Sequence, residues 1–110
     1  LKSHPQHKLA VRQMDNFSGM ITFQMDDGPG AAEVFAERLK IIHYAVSLGH
    51  HRSLIYYLST DDMIDTSFRI EGAQRESYKD YSGEGIFRLS VGIEDAVDLI
   101  NDLEQALAEV

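Results

Sequence analysis

Apolar and polar residues alternate in several short segments of the chain, a pattern that is typical of half-buried β-strands. The alternation is clearest in residues 86–91 and is also present in residues 20–25. Residues 41–46 and 53–58 contain many β-branched and aromatic side chains, which favour extended backbone. We therefore predict four strands. One face of the first and last strands carries Ile21, Phe23, Met25, Phe87, Leu89 and Val91.

Helical periodicity and capping residues predict helices between these strands. Pro5 suits the first turn of an N-terminal helix, and Ser59 or Thr60 can cap a short helix after the third strand. The sequence Asp27–Gly30 predicts a turn. The predicted helices cover residues 4–14, 31–40, 60–63, 71–79 and 95–109, and the second is expected to bury Val34, Phe35, Leu39 and Ile42.

The helix predicted for residues 95–109 has the most regular pattern in the chain. Asp95 lies near its N-cap, where a carboxylate accepts backbone hydrogen bonds and interacts favourably with the helix dipole. The apolar stripe expected to face the core contains Val97, Ile100, Leu103, Leu107 and Val110. The residues expected to face solvent are Asp98, Asn101, Asp102, Glu104 and Glu109.

The resulting order of elements is α-β-α-β-β-(α)-β-α. Short connections between successive strands favour antiparallel pairing, and helices then pack on the apolar face. We therefore predict an α+β fold, a two-layer sandwich with a mostly antiparallel sheet of about four strands and helices on one face. A length of 110 residues suits a single domain.

Composition excludes several classes of function. The net charge of -8 disfavours binding to nucleic acid or to anionic membrane surfaces. No apolar run is long enough to cross a bilayer, and the polar, His-containing start does not resemble a signal peptide. The absence of cysteine removes disulfides and thiolate metal sites and fits a reducing compartment.

Arg88 is the most informative single residue. Alternation places Arg88 and Ser90 on the strand face opposite Phe87. A guanidinium on a face that helices do not cover can bind a carboxylate through two hydrogen bonds. The alternative is a structural ion pair with one of the eighteen acidic residues.

Other polar clusters give weaker signals. His50 and His51 are adjacent in a loop, so their side chains diverge and no third metal ligand has a fixed spacing to them. His4 and His7 lie one turn apart on a predicted helix, which is also a weak ligand pattern. The pairs Asp26-Asp27 and Asp61-Asp62 are interpreted as turn and cap residues. No metal site is predicted, and no phosphate-binding glycine motif or nucleophile–base set is present.

Several segments resemble the carboxy-terminal end of the Cys/Met-metabolism family of pyridoxal-phosphate (PLP) enzymes. They are Ala45–Gly49 with Arg52–Leu54, Phe87–Asp95, Asp98–Leu103 and, near the start, His4-Pro5, Gln13-Met14 and Phe17–Phe23. The family includes cystathionine γ-synthase, cystathionine γ-lyase, methionine γ-lyase and O-acetylhomoserine sulfhydrylase. The resemblance covers residues 1–108 and implies the small C-terminal domain of a fold-type I PLP enzyme.

The resemblance implies that much of the enzyme lies outside these residues. Residues 1–18 would connect to a large domain holding PLP and its Schiff-base lysine, and residues 19–110 would form the small domain. Neither a catalytic nor a cofactor-binding residue is then expected here, and these residues alone would be inactive. The family also implies a homotetramer, a cytoplasmic location and partners limited to the large domain, other subunits and a small amino acid.

By resemblance, Arg88 binds the α-carboxylate of the substrate, with help from Ser47 and Leu48. Val46 stands where cystathionine-handling members often carry Glu, which favours a substrate without a distal ammonium group. The implied reaction is elimination or γ-replacement on a sulfur amino acid or an activated homoserine. A free-standing binding domain of the same fold, without catalysis, is the alternative.

Overall fold

A computed structural model of the chain describes residues 1–66, 69–108 and 110. In chain order the elements are α1 (His7–Gln13), β1 (Met20–Phe23), α2 (Gly28–Arg38), β2 (His43–Tyr44), β3 (Leu54–Ser59), α3 (Thr60–Asp65), α4 (Gly72–Ser82), β4 (Gly85–Ser90) and α5 (Ala96–Leu107). The predicted end of the last helix, with Glu109, lies outside the described residues. No described helix combines the length and the apolar composition needed to cross a membrane.

The four strands form one mixed sheet in the order β1-β4-β3-β2. β4 is central and pairs antiparallel with both β1 and β3. β2 adds a parallel edge strand to β3. The prediction of an α+β fold with a mostly antiparallel sheet is therefore confirmed.

The core lies on the face of the sheet that carries Phe87. Phe87 and Ile55 are completely buried, and the ring of Phe35 from α2 meets Phe87 edge-on with centroids 5.2 Å apart. α2 contacts β2, β3 and β4, and α5 packs against α2 with Leu99 and Ala106 in the core. Burying an aromatic side chain of this size contributes roughly 1.5–3 kcal/mol, so this face of the sheet carries most of the packing energy.

α2 begins earlier than the sequence predicts. The turn expected at Asp27–Gly30 is the first turn of the helix, which starts at Gly28. The Asp27 carboxylate accepts a hydrogen bond of 2.9 Å from the Gly30 N–H, and Pro29 occupies a position where its missing N–H costs nothing. Residues typical of turns therefore cap and start a helix here.

The second strand is shorter than predicted. Of residues 41–46, His43 and Tyr44 pair with β3. The N–H groups of Ile41 and Ile42 instead donate to the carboxylate of Asp102, each at 2.9 Å. The side chain from α5 therefore takes the backbone donors that would extend the strand.

The core-facing side of α5 differs from the prediction. Asp102 was expected to face solvent but is 4% exposed. Conversely, Val97 and Ile100 are 63% and 53% exposed, although the predicted stripe placed both in the core. Leu107 and Val110 are also exposed, and Leu103 is partly buried. The side that faces the core carries Leu99, Asp102, Leu103 and Ala106.

The capping predictions for α3 and α5 are confirmed. The Ser59 hydroxyl accepts from the Asp62 N–H, and α3 continues to Asp65 rather than ending at Met63. The Asp95 carboxylate accepts from the Val97 N–H at 2.8 Å. Each such cap stabilises its helix by about 1 kcal/mol.

Candidate functional site

Arg88 and Ser90 lie on the face of β4 that α2 and α5 leave open. Phe87 and Leu89 are in the core, so the pleat directs the residues between and after them to the opposite side. Arg88 pairs across the sheet with Thr22 and Tyr56. The predicted position of Arg88 on the sheet is therefore confirmed.

The guanidinium of Arg88 points to a loop rather than to an acid. Its Nη2 donates to the backbone carbonyl of Val46, and more weakly to that of Ser47 at 3.4 Å. Among the described residues no carboxylate forms an ion pair with Arg88. Its Nε–H is buried and has no hydrogen-bond partner in that part of the chain. A structural ion pair, the alternative left open by the sequence, is not what the structure shows.

Residues 46–49 form a loop that contacts Arg88 and belongs to the connection between β2 and β3. The side chains of Val46 and Leu48 are 65% and 53% exposed, and Ser47 is also exposed. In the described part of the chain, the N–H groups of Ser47 and Leu48 have no hydrogen-bond acceptor. The structure thus brings Arg88 to the loop that carries the other three predicted site residues, Val46, Ser47 and Leu48.

Gly49 ends this loop in a left-handed conformation, with φ of 67°. Its N–H donates to the Ser90 hydroxyl at 2.9 Å. Ser90 is 3% exposed and was not predicted as a site residue. Its position two residues after Arg88, on the same face of the same strand, is the sequence signal that identifies it.

A second group of hydrogen bonds holds the chain that follows the loop. The Glu94 carboxylate accepts from the N–H of Ser53 at 2.7 Å and from its hydroxyl at 2.8 Å. The same hydroxyl accepts from the Gly92 N–H. The Ser53 N–H holds the pKa of Glu94 below its ordinary value despite partial burial, and the hydroxyl and nearby His51 add to this. Sequence analysis did not identify Ser53 or Glu94, because they are forty-one positions apart.

Chemically, this arrangement is suited to binding a carboxylate. A guanidinium offers parallel N–H groups that match the two oxygens of a carboxylate, and such charge-assisted pairs are stronger than neutral hydrogen bonds. The buried Nε–H of Arg88 lacks an acceptor, which is costly unless a ligand supplies one.

The other polar clusters form no metal site. The ring centroids of His50 and His51 lie 4.0 Å apart, so the prediction that these side chains diverge is wrong. His43 contacts the guanidinium of Arg52 at 3.0 Å. His7 stacks on Phe17. The described residues contain no group of three or more side chains able to hold a metal ion.

The acidic pairs have structural roles. Asp27 caps α2, as predicted. Asp61 and Asp62 lie in the first turn of α3, where negative charge stabilises the helix, and Asp61 contacts Lys79 at 3.6 Å.

The lysines of the chain do not fit a covalent PLP site. A Schiff-base lysine needs a lowered pKa, which burial or a neighbouring cation provides. Lys2, Lys8 and Lys40 are exposed, and Lys79 pairs with Asp61. The lysines in the described part of the chain therefore do not fit the Schiff-base role that the resemblance implies for PLP.

Comparisons with known proteins show similarity over nearly the whole chain. Cystathionine gamma-synthase of Mycobacterium tuberculosis is 42% identical over 107 residues, 97% of this chain and 25% of that protein. L-methionine gamma-lyase of Fusobacterium nucleatum subsp. polymorphum is 36% identical over 110 residues, 100% of this chain and 26% of that protein. The chain thus spans about a quarter of the length of these relatives.

Solved structures show the same similarity. Cystathionine gamma synthase from Xanthomonas oryzae pv. oryzae, in complex with cystathionine, matches 98% of this chain and 26% of its own, with a TM-score of 0.71 and 34% identity. Residues 1–108 match the family described as Cys/Met metabolism PLP-dependent enzyme. This chain therefore belongs to the Cys/Met-metabolism family of PLP-dependent enzymes, the trans-sulfuration enzymes.

Proposed function

We propose that these residues form the C-terminal domain of a PLP-dependent trans-sulfuration enzyme and bind the α-carboxylate of its amino acid substrate. Arg88 binds that carboxylate, and loop residues Ser47 and Leu48 assist. The observation that carries the proposal is the guanidinium itself, which has a buried, unpartnered Nε–H and no acidic partner among the described residues.

Binding the carboxylate serves the reaction by fixing the orientation of the substrate. Holding a substrate in the correct geometry lowers the entropic part of the barrier, and small misplacements reduce the rate strongly. PLP, when bound, acts as an electron sink that stabilises carbanions. Arg88 and the loop contribute position and charge complementarity rather than proton transfer.

The PLP site and the proton-transferring groups belong, in this proposal, to a large domain outside these residues. Two observations support this division: the chain spans about a quarter of its relatives, and its lysines do not fit the cofactor. Residues 1–18 form the connection to that large domain, and residues 19–110 form the small domain. The intact enzyme is a homotetramer located in the cytoplasm, as the family resemblance implies.

The proposed substrate is a sulfur amino acid or an activated homoserine, converted by elimination or γ-replacement. Val46 supports a substrate without a distal ammonium group, because its carbonyl accepts from Arg88 while its side chain is exposed and apolar and offers no carboxylate. A free-standing binding domain is less well supported, since the relatives that match are about four times longer than this chain.

The test is an Arg88→Ala variant of the full-length enzyme that contains these residues. We expect affinity for a carboxylate-bearing inhibitor to fall by about 10- to 150-fold, since a hydrogen bond to a charged group contributes roughly 1.5–3 kcal/mol. Arg88→Lys should recover part of the affinity, because an ammonium retains the charge but not the paired N–H groups.

Isothermal titration with two inhibitors provides the readout: an amino acid and the matching amine without the carboxylate. Arg75→Ala is the control, because Arg75 forms an exposed ion pair with Asp65 away from the loop. If Arg88→Ala binds the amino acid as tightly as the unmodified enzyme does, Arg88 does not have the proposed role.

A further inference from the structure

We propose that Ser90 is a positioning residue for the carboxylate site, and that its buried hydroxyl keeps loop 46–49 in place beside Arg88. The inference rests on the proposed function, because it concerns the shape of the same site. It assigns Ser90 no contact with the substrate.

The first observation is the hydrogen bond between strand and loop. Ser90 is the last residue of β4 and is 3% exposed, and its Oγ accepts from the Gly49 N–H at 2.9 Å. Gly49 has φ of 67°, a conformation that other residues adopt at a cost. A Cβ on Gly49 would meet no atom within 4 Å, so the backbone conformation, rather than crowding, requires glycine here.

The second observation is that two side chains of one strand hold the same loop. Arg88 donates to the carbonyls at its start, Val46 and Ser47, while Ser90 accepts from the amide at its end. Arg88 and Ser90 are two residues apart and project from the same face. The two attachments therefore flank the part of the loop that carries the proposed substrate contacts.

Ser90 allows Arg88 to exchange partners. A carboxylate that binds the Nε–H of Arg88 with one oxygen takes an N–H of Nη2 with the other, and Nη2 also donates to the loop carbonyls. Without Ser90, Arg88 is the side chain that still holds loop 46–49 within the described residues, so binding the ligand and holding the loop compete. With Ser90 in place, the loop keeps its position while Arg88 turns to the ligand.

The experiment compares Ser90→Ala with the unmodified full-length holoenzyme, using the amino acid inhibitor and the amine without a carboxylate. We expect the amino acid to bind about three- to tenfold more weakly, as for the loss of one hydrogen bond, and the amine to bind almost unchanged. KM for substrate should rise by a larger factor than kcat falls. Ser90→Thr retains the hydroxyl and should recover part of the affinity.

Ser82→Ala is the matched control. Ser82 is also buried, at 1% exposed, and its hydroxyl bonds to the Tyr78 carbonyl and to Thr60 beyond the opposite end of β4. The Ser82→Ala variant also loses a buried hydroxyl but leaves the loop unchanged. It therefore shows how far the loss of a buried hydroxyl alone lowers stability and affinity. If Ser90→Ala does not fold, Gly49→Ala perturbs the other partner of the same hydrogen bond and should show the same selective loss.

A double-mutant cycle completes the test. In an Arg88→Ala background, Ser90→Ala should change carboxylate affinity little, because no guanidinium is left to be shared between the ligand and the loop. Equal losses for both inhibitors, or additive effects in the cycle, would overturn the role of Ser90 and leave the proposed function intact. Unchanged affinity in Arg88→Ala itself would overturn the proposed function, and the inference with it.

Discussion

At the scale of single residues, we propose that Val46 is the position where the site differs in substrate choice. Its carbonyl accepts from Arg88, and its side chain is 65% exposed beside the proposed ligand position. Because Arg88 donates to the backbone carbonyl of residue 46, a different side chain at this position leaves that hydrogen bond in place. Residue 46 can therefore change the selectivity of the site without removing its charge complementarity.

We expect Val46→Glu to favour substrates that carry a distal ammonium group. An exposed ion pair contributes about 0.2–1 kcal/mol, so kcat/KM for cystathionine relative to methionine should rise by roughly 1.5- to fivefold. Steady-state kinetics of the full-length enzyme with both substrates measures this ratio. Val46→Gln has a similar volume without charge and serves as the control; an equal rise with Gln would show that charge is not the cause.

The position of Arg88 could be predicted from the sequence, and its partners could not. Alternation has a period of two in a strand, so Phe87 and Leu89 in the core determine the side to which Arg88 points. The loop carbonyls that receive its guanidinium lie more than forty positions earlier. Hydrophobic pattern contains no information on such a long-range polar contact, and the family resemblance grouped Arg88 with residues 46–48 without predicting the hydrogen bonds between them.

At the scale of elements, α5 shows how a regular pattern can predict the wrong face. Two rows of residues follow helical spacing: one includes Val97, Ile100 and Leu107, and the other includes Leu99 and Ala106. Asp102 lies in the second row, so that row is less apolar in the sequence. The structure buries it because backbone N–H groups following α2 satisfy the Asp102 carboxylate.

We predict that Asp102→Ala destabilises the fold by about 3 kcal/mol at neutral pH, since it leaves three N–H groups without their acceptor. The donors are those of Lys40, Ile41 and Ile42, each at 2.9 Å. Chemical denaturation measures the free energy of unfolding. Glu104→Ala, on the exposed side of α5, is the control and should cost less than about 0.5 kcal/mol. Equal costs would show that Asp102 has no special role.

The same contact predicts how stability changes with pH. Burial alone would raise the pKa of Asp102, but the N–H donors of residues 40–42 and the Gln105 amide outweigh it and lower the pKa. The contribution of the carboxylate is therefore complete above the unfolded-state pKa of about 3.9 and is lost as pH falls through the lower folded-state pKa. The loss of unfolding free energy caused by Asp102→Ala should become smaller as pH is lowered from 5 to strongly acidic conditions. A loss that does not change with pH would argue against this linkage.

At the scale of the whole molecule, the N-terminal segment differs from the rest. α1 has no buried residue, and Val11 and Phe17 are 56% and 59% exposed. The core is built from α2, the sheet and α5. This contrast agrees with the proposed boundary at residue 18, with the earlier residues forming a connection to a larger domain rather than part of this core.

Deletion of residues 1–18 tests that boundary. Because α1 contributes no buried side chain, we expect the free energy of unfolding of residues 19–110 to differ by less than about 0.5 kcal/mol from that of the 110-residue chain. Gly19 is retained, so its carbonyl still accepts from the Val91 N–H at 2.7 Å. Thermal and urea denaturation of both chains measures the difference. Deletion of residues 100–110 is the contrasting control, because it removes Asp102 and Ala106 from the core and should abolish cooperative unfolding. A large loss on removing residues 1–18 would place the boundary elsewhere and make α1 part of the folded unit.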